Sequence, residues 1–326
     1  MRRILKYSVI CLAVGALSAC DKPALTIATE NIPTAGVRFI NAVPDSAGGF
    51  GLDMRFVDIV ESNAQFRITF RNGPAVVQSL QGSCGTPCLA TDTANYVQVG
   101  SGQTQYKGAR AGSRHFVIFL DDTAQTVAST IIKDTTVTLE AGKNYTALLW
   151  GAARTGGSPA MKLTFMEEAV PDPGANIAMR VINTTAQSLD ARFYARPVMP
   201  NKDRLTPTAG AADLVVPAQS VSTYVTKAPG NWMVSVRNSG TATNFLAEDI
   251  QAFTGTAAFS SAGTGGKIDI NANPGASVAG SAMTFVVYPR STAGSKAPQI
   301  TTSKLSMALT AGVWMWDRRP ALVPGT

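Results

Sequence analysis

Short runs of alternating apolar and polar residues recur along this chain. Leu52, Met54 and Phe56 alternate with Asp53 and Arg55, and a period of two predicts a half-buried β-strand. Similar runs, or runs rich in β-branched and aromatic residues, lie at 36–41, 65–70, 114–120, 126–132, 135–139, 145–150, 161–166, 232–236, 283–288 and 313–316. No segment after residue 19 has a sustained helical period. Many short strands separated by turns predict an all-β fold of the sandwich type.

The sequences of two of these predicted strands occur twice in the chain. Residues 37–41 (Val-Arg-Phe-Ile-Asn) recur at 179–183 as Met-Arg-Val-Ile-Asn, and 52–56 recur at 189–193. Tyr106 and Gly112 recur 118 residues later as Tyr224 and Gly230. We therefore predict two tandem β-sandwich domains, 36–170 and 171–326. The segment 72–105 has a shorter counterpart in the second copy, which predicts an insertion on a surface loop.

The N-terminus predicts export and a lipid anchor. Residues 1–19 have a short basic start and an apolar stretch too short to span a bilayer, which is typical of a signal peptide. Leu17-Ser18-Ala19-Cys20 resembles the lipobox of bacterial lipoproteins, where the leader is cut before an acylated cysteine. We predict lipid attachment at Cys20, with residues 20–35 as a flexible tether. The alternative is an ordinary signal peptide in which the cysteine occurs by chance. Asp21, directly after the cysteine, leaves open whether the anchor is in the inner or the outer membrane.

The other exported cysteines are Cys84 and Cys88, in a loop rich in Gly and Pro. In an oxidising compartment this spacing predicts a local disulfide. It is not the C-x-x-C of redox enzymes, and two sulfurs do not complete a zinc site.

Charge adds little to this interpretation. The formal net charge is +7, and Arg2, Arg3 and Lys6 of the leader contribute three of those charges. The remaining basic residues are scattered, without the basic and aromatic patches of nucleic-acid-binding proteins. The expected partners are the membrane, through the lipid, and an envelope protein or a polysaccharide.

Candidate catalytic chemistry depends on one histidine, His115. Ser113 and Asp121 are near in sequence, but a triad needs groups that converge from different elements. We expect His115 on an outward strand face, like its counterpart Met233, and a hydrolase is the alternative. The acids Glu167 and Glu168 are expected on a solvated rim. No metal or cofactor motif is found.

Trp314 and Trp316 share one face of the last predicted strand. They could form a stacking platform for a carbohydrate, or they could belong to a packed sheet face. Both interpretations stay open at this point.

One turn has the pattern of a tyrosine corner. Leu139, Gly142 and Tyr145 are spaced as in Greek-key sandwiches, where the tyrosine hydroxyl bonds to backbone upstream. Tyr145 should therefore be buried with its hydroxyl bonded near Leu139. Met283 replaces this tyrosine in the second copy, so that hydrogen bond should be missing there.

The strand at 37–42 with Pro44-Asp45 after it, the block at 136–146 and the second copy together resemble a bacterial family called domain of unknown function 4397. The resemblance covers about 36–320. It implies exported proteins, often lipoproteins, with immunoglobulin-like β-sandwich repeats, and it supplies no catalytic residues. We therefore expect a non-catalytic, lipid-anchored envelope protein that acts in adhesion, scaffolding or ligand binding.

Overall fold

The fold is described from a computed structural model of the chain. It describes residues 33–44, 51–58, 77–79, 106–121, 131–152, 155–196, 210–246, 249–257, 259–263, 266–270, 272–289 and 312–318. The predictions for the leader, for Cys20, for Cys84 and Cys88 and for a strand at 65–70 lie outside these residues. Residues 34–326 form one compact unit.

The described residues form β-strands and no α-helix, which confirms the all-β prediction. The first nine strands are β1 (Thr34–Ala42), β2 (Gly51–Phe56), β3 (Val77–Ser79), β4 (Lys107–Arg110), β5 (Gly112–Asp121), β6 (Ile131–Leu139), β7 (Asn144–Trp150), β8 (Lys162–Glu167) and β9 (Ile177–Asn183). The others are β10 (Leu189–Ala195), β11 (Leu214–Val216), β12 (Ser220–Val221), β13 (Val225–Lys227), β14 (Trp232–Asn238), β15 (Ile250–Gln251), β16 (Phe259–Gly263), β17 (Gly266–Ile270), β18 (Ala282–Val287) and β19 (Gly312–Arg318). Within the described part of the chain, no helix is long and apolar enough to cross a membrane.

Four larger sheets carry the fold, two from each half of the chain, and β16 and β17 form a separate two-stranded sheet. The first inner sheet has the order β3-β1-β7-β8, with β4 also paired to β1, and the first outer sheet has the order β2-β5-β6. The second inner sheet has the order β12-β9-β18-β19, with β13 also paired to β9, and the second outer sheet has the order β11-β10-β14-β15. In both inner sheets the first strand pairs in parallel with a later strand, which then pairs antiparallel with the next one.

The sheets stack in four layers around three apolar cores. One core joins the first inner and outer sheets, and another joins the second inner and outer sheets. The third core lies between the two inner sheets, with Ile40 and Leu148 from one and Ile182 and Val286 from the other. Because side chains alternate along a strand, β1 and β9 each face two cores. This explains why all seven residues of β9 are buried.

Two sequence expectations differ from the structure. The segment 72–105 was expected to be a loop insertion, yet its described residues form β3, which pairs in parallel with β1 in the first inner sheet. Met233 was expected to face outward, but its side chain is buried, and so is that of Ser235 on the same face. On that face of β14, Tyr194 of β10 lies opposite Met233. This face of the strand is therefore less exposed than the alternation of the sequence predicts.

The tyrosine corner is confirmed. Tyr145 is buried, and its hydroxyl accepts a hydrogen bond of 2.9 Å from the backbone N–H of Glu140. Gly142 has φ +79° in the turn between them, a conformation that favours glycine. Met283 occupies the equivalent place on β18 and is also buried, but a thioether chain offers no hydroxyl.

Candidate functional site

A buried arginine lies at the centre of each inner sheet. Arg38 on β1 and Arg180 on β9 are the arginines of the repeated strand, and their side chains point into the layer between the two inner sheets. Arg38 is only 2% exposed and Arg180 is also buried. Burying a guanidinium is costly unless it is paired and hydrogen-bonded, so partners must lie in the same layer.

Two carboxylates from distant parts of the chain supply that pairing. Glu168, directly after β8, places Oε1 3.0 Å from Arg38 Nη2 and Oε2 2.6 Å from Arg180 Nη2. Asp317, on β19, places Oδ1 2.7 Å from Arg38 Nη2 and 3.8 Å from Arg180 Nη2. Each acid therefore bridges the two halves of the chain.

Threonine and tyrosine side chains complete the cluster in matched pairs. Arg38 Nε donates to Thr146 Oγ1 at 2.7 Å, and Arg180 Nε donates to Thr284 Oγ1 at 2.8 Å. Thr146 in turn donates to Glu168, and Thr284 donates to Asp317. Each threonine therefore links its arginine by hydrogen bonds to an acid of the same half.

An aromatic ring lies against each guanidinium. The Arg38 guanidinium carbon is 4.7 Å from the centre of the Tyr106 ring, and the same distance separates Arg180 from Tyr224. The two tyrosines are the pair that recurs 118 residues apart in the sequence. Tyr224 donates to Asp317 Oδ2 at 2.9 Å, whereas the Tyr106 hydroxyl is buried without a partner among the described residues. The symmetry of the cluster is therefore approximate.

The charges in this cluster balance, two cations against two anions. Burial alone would raise the pKa of the Glu168 carboxyl, but Arg38 and Arg180 outweigh it and hold that pKa below its ordinary value. Burial and the neighbouring Asp317 raise the pKa of the Tyr224 phenol far above its ordinary value. Glu168 thus stays ionised, and the Tyr224 phenol stays a neutral donor.

This arrangement is suited to holding the two inner sheets together. It contains neither a histidine nor a cysteine, and its acids are occupied by arginine and hydroxyl partners. The side chains of Glu168 and Asp317 are 1% and 0% exposed, so a substrate in solution does not reach them. We name these eight residues the central charge cluster: Arg38, Tyr106, Thr146, Glu168, Arg180, Tyr224, Thr284 and Asp317.

The role of this cluster is not visible in the sequence alone. Glu168 was expected on a solvated rim, and this is wrong, because Glu168 is buried between the two arginines. Its neighbour Glu167 is on the surface, with its side chain 49% exposed. The sequence does contain one relevant signal, the repetition of Arg38 and Tyr106 as Arg180 and Tyr224. This repetition indicates a contact that both halves share, but it does not identify the acids that take part.

His115 lies on the surface of the first outer sheet. Its side chain is 44% exposed, and Nε2 lies 2.6 Å from Asp134 Oδ1 on β6. The acid beside it is therefore Asp134 and not Asp121. A histidine–carboxylate pair on an exposed strand face is a common surface contact of modest energy.

The tryptophans of β19 are buried. Trp314 is 7% and Trp316 is 8% exposed. The Trp314 ring packs against Phe285 and Phe193, with ring centres 5.1 and 6.0 Å away. The exposed stacking platform that these residues could have formed is absent from this strand, because both rings belong to a packed sheet face.

Among the described residues, no group of three or more His, Cys, Asp or Glu side chains is placed to hold a metal ion. Fold and cluster together define an all-β protein whose two inner sheets are joined by buried ion pairs. Residues 35–192 match the model of the family described as domain of unknown function (DUF4397). The family resemblance found in the sequence is confirmed over that region, which runs from β1 into β10 and includes both arginines. No curated protein matches the chain.

Proposed function

We propose that this chain is a non-catalytic, lipid-anchored protein of the bacterial cell envelope. In this proposal two tandem immunoglobulin-like β-sandwich units act as one module in adhesion, scaffolding or ligand binding. The observation that carries it is the central charge cluster. The buried arginines and carboxylates of this cluster join the two halves of the chain, and a substrate in solution does not reach them.

The repeated architecture supports the tandem part of the proposal. β1, β7 and β8 pair as β9, β18 and β19 do. Arg38 and Arg180 occupy matching places on β1 and β9, each beside its threonine and tyrosine. A duplicated unit whose copies pack through the same strand face accounts for both observations.

The sequence of the leader supports the anchor. With acylation at Cys20, 14 residues from 20 to 33 precede the first strand. That length allows a reach of at most about 50 Å from the lipid. Each acyl methylene that enters the bilayer contributes about 0.8 kcal/mol, so two or more chains such as palmitate would hold the protein firmly. A Cys84–Cys88 disulfide would fit the same exported location.

Anchoring can be tested in cells. Cys20→Ser, or inhibition of the lipoprotein signal peptidase with globomycin, should leave the leader uncut or release the protein from the membrane fraction. Ser18→Thr is a matched control, because it changes the leader and keeps the cysteine. Normal processing and membrane retention of Cys20→Ser would refute the anchor.

The non-catalytic part has its own test. Purified protein should show no hydrolysis of a panel of ester, amide and glycoside substrates that depends on His115. If activity were found and His115→Ala abolished it, the hydrolase alternative would replace this proposal. Binding on a glycan array would favour the carbohydrate-binding alternative, although the burial of Trp314 and Trp316 argues against a surface platform.

A further inference from the structure

The face through which the two halves pack is built from equivalent residues. The two threonines of the central charge cluster pair with Met166 on β8 and with Met315 on β19. Glu168 and Asp317 each follow two residues after that methionine, so the two acids are equivalent as well. Every member of the cluster therefore has a counterpart in the other half.

The ionic contacts across this face are reciprocal. Arg38 of the first half lies 2.7 Å from Asp317 of the second, and Arg180 of the second half lies 2.6 Å from Glu168 of the first. The third core follows the same rule, with the counterparts Ile40 and Ile182, Leu148 and Val286, Trp150 and Tyr288, and Met166 and Met315. Reciprocal contacts between equivalent surfaces are also the way in which two copies of one chain pair in a symmetric dimer.

Each half also has an apolar core of its own, on the other side of its inner sheet. The core of the first half includes Phe116 and Tyr145, and that of the second half includes Phe193 and Phe285. These two cores do not use the face between the halves. Each half therefore keeps its own core when the partner on that face is exchanged.

A short linker determines which two halves pair. On the side of the first half, the N–H of Glu168 donates to the Asn144 carbonyl at 2.8 Å. On the side of the second half, Asp172 Oδ2 lies 2.6 Å from Arg318 Nη2. The residues between these two contacts are 169–171, which end on a proline. A short hinge restricts how the halves of one chain can meet, and this favours exchange between copies.

We propose that two copies of this chain exchange halves through this face, so that the first half of each packs on the second half of the other. The partner of this face is then a second copy of the chain. The exchanged dimer keeps every contact of the central charge cluster and of the third core, so it forms without any new interface. The inference rests on the scaffolding part of the proposed function and gives the scaffold a way to link neighbouring chains.

Protein concentration sets the balance between the closed monomer and the exchanged dimer. In the monomer, the linker holds the two halves at an effective concentration in about the millimolar range. The dimer should therefore be a minor form in dilute solution and a substantial one near about 1 mM. Copies confined to one membrane surface would reach a high local concentration.

The test compares three forms of the full chain in detergent micelles. They are the wild type, a chain that lacks Val170, and a chain with six Gly and Ser residues inserted after Val170. Native mass spectrometry measures the ratio of dimer to monomer after long incubation at matched concentrations. Hydrogen exchange at the Leu148 and Val286 amides, one in each half, reports whether the third core is closed. The lengthened chain is the matched control, because it changes the same position and relaxes the hinge.

The shortened chain should shift from monomer to dimer and keep the wild-type protection of Leu148 and Val286. The lengthened chain should stay monomeric in dilute solution, with the wild type between the two. The dimer of the wild type should increase as the concentration approaches about 1 mM. It should return to monomer only slowly after dilution, because exchange requires the third core to open.

Three results would overturn the proposal. The shortened chain could remain a monomer or lose protection at Leu148 and Val286, which would show that halves do not pair between copies. An equal share of dimer in all three chains would assign the association to another surface. The wild type could also stay monomeric at about 1 mM. None of these results bears on the lipid anchor or on His115, so the rest of the proposed function would stand.

Discussion

Asp317→Asn removes one charge from the central charge cluster and keeps the shape of the side chain. The amide oxygen can still accept from Tyr224 and Thr284, so mainly the ionic contacts with Arg38 and Arg180 are lost. Two buried cations would then share one anion, Glu168. Leaving a buried charge without its partner costs about 3–5 kcal/mol.

The matched control is Asp172→Asn. Asp172 Oδ2 lies 2.6 Å from Arg318 Nη2, but its side chain is 61% exposed. An exposed pair of this kind is worth about 0–1 kcal/mol. Both variants replace aspartate with asparagine beside an arginine, so the difference between them isolates the effect of burial.

Thermal unfolding followed by circular dichroism measures both variants. At about 2 °C per kcal/mol for a chain of this size, Asp317→Asn should lower Tm by at least about 6 °C. Hydrogen exchange should also show weaker protection of Leu148 in the first half, because Arg38 loses a partner there. Two results would show that the cluster does not join the halves. Asp317→Asn could lower Tm by no more than Asp172→Asn does, or it could weaken hydrogen-exchange protection in the second half only.

Three further predictions concern single groups. Tyr145→Phe should lower the free energy of unfolding by about 1 kcal/mol, since it removes the hydrogen bond from Glu140 N–H; an unchanged Tm would show that this bond adds nothing. Because the Glu168 pKa is below its ordinary value of 4.5 in the folded chain, its stabilisation is present above that value and is lost as the pH falls through the folded pKa. Wild type should therefore lose more stability than Glu168→Gln between about pH 5 and pH 3 in denaturant titrations, and parallel curves would contradict this. Non-reducing mass spectrometry should find Cys84 and Cys88 bridged, and two alkylated thiols in native protein would refute the disulfide.

The sequence predicts the strands well where the pattern is local. Alternation and β-branched content locate β7, β14, β18 and β19 to within about a residue or two, and the spacing of Leu139, Gly142 and Tyr145 predicts a hydrogen bond that the structure contains. These features depend on neighbours a few residues away. A single sequence carries that information directly.

The central charge cluster could not be predicted from such local patterns, and the reason is physical. Alternation marks one buried face of a strand, but β1 and β9 have two, because the inner sheets cover each other. Arg38 meets Trp316 O and the Asp317 carboxylate almost 280 residues away in sequence, and periodicity carries no signal at that distance. The last predicted strand ended at residue 316, whereas Asp317 lies within β19 and is a buried partner of both arginines.

The proposed function depends most on the lipid at Cys20. The direct measurement is the mass of the N-terminal peptide of mature protein extracted from bacterial membranes. The account predicts a peptide that begins at Cys20 and is heavier by the diacylglyceryl group, with or without an N-acyl chain. A mature peptide with a free Cys20 thiol, or a membrane-bound chain that keeps residues 1–19, would contradict it.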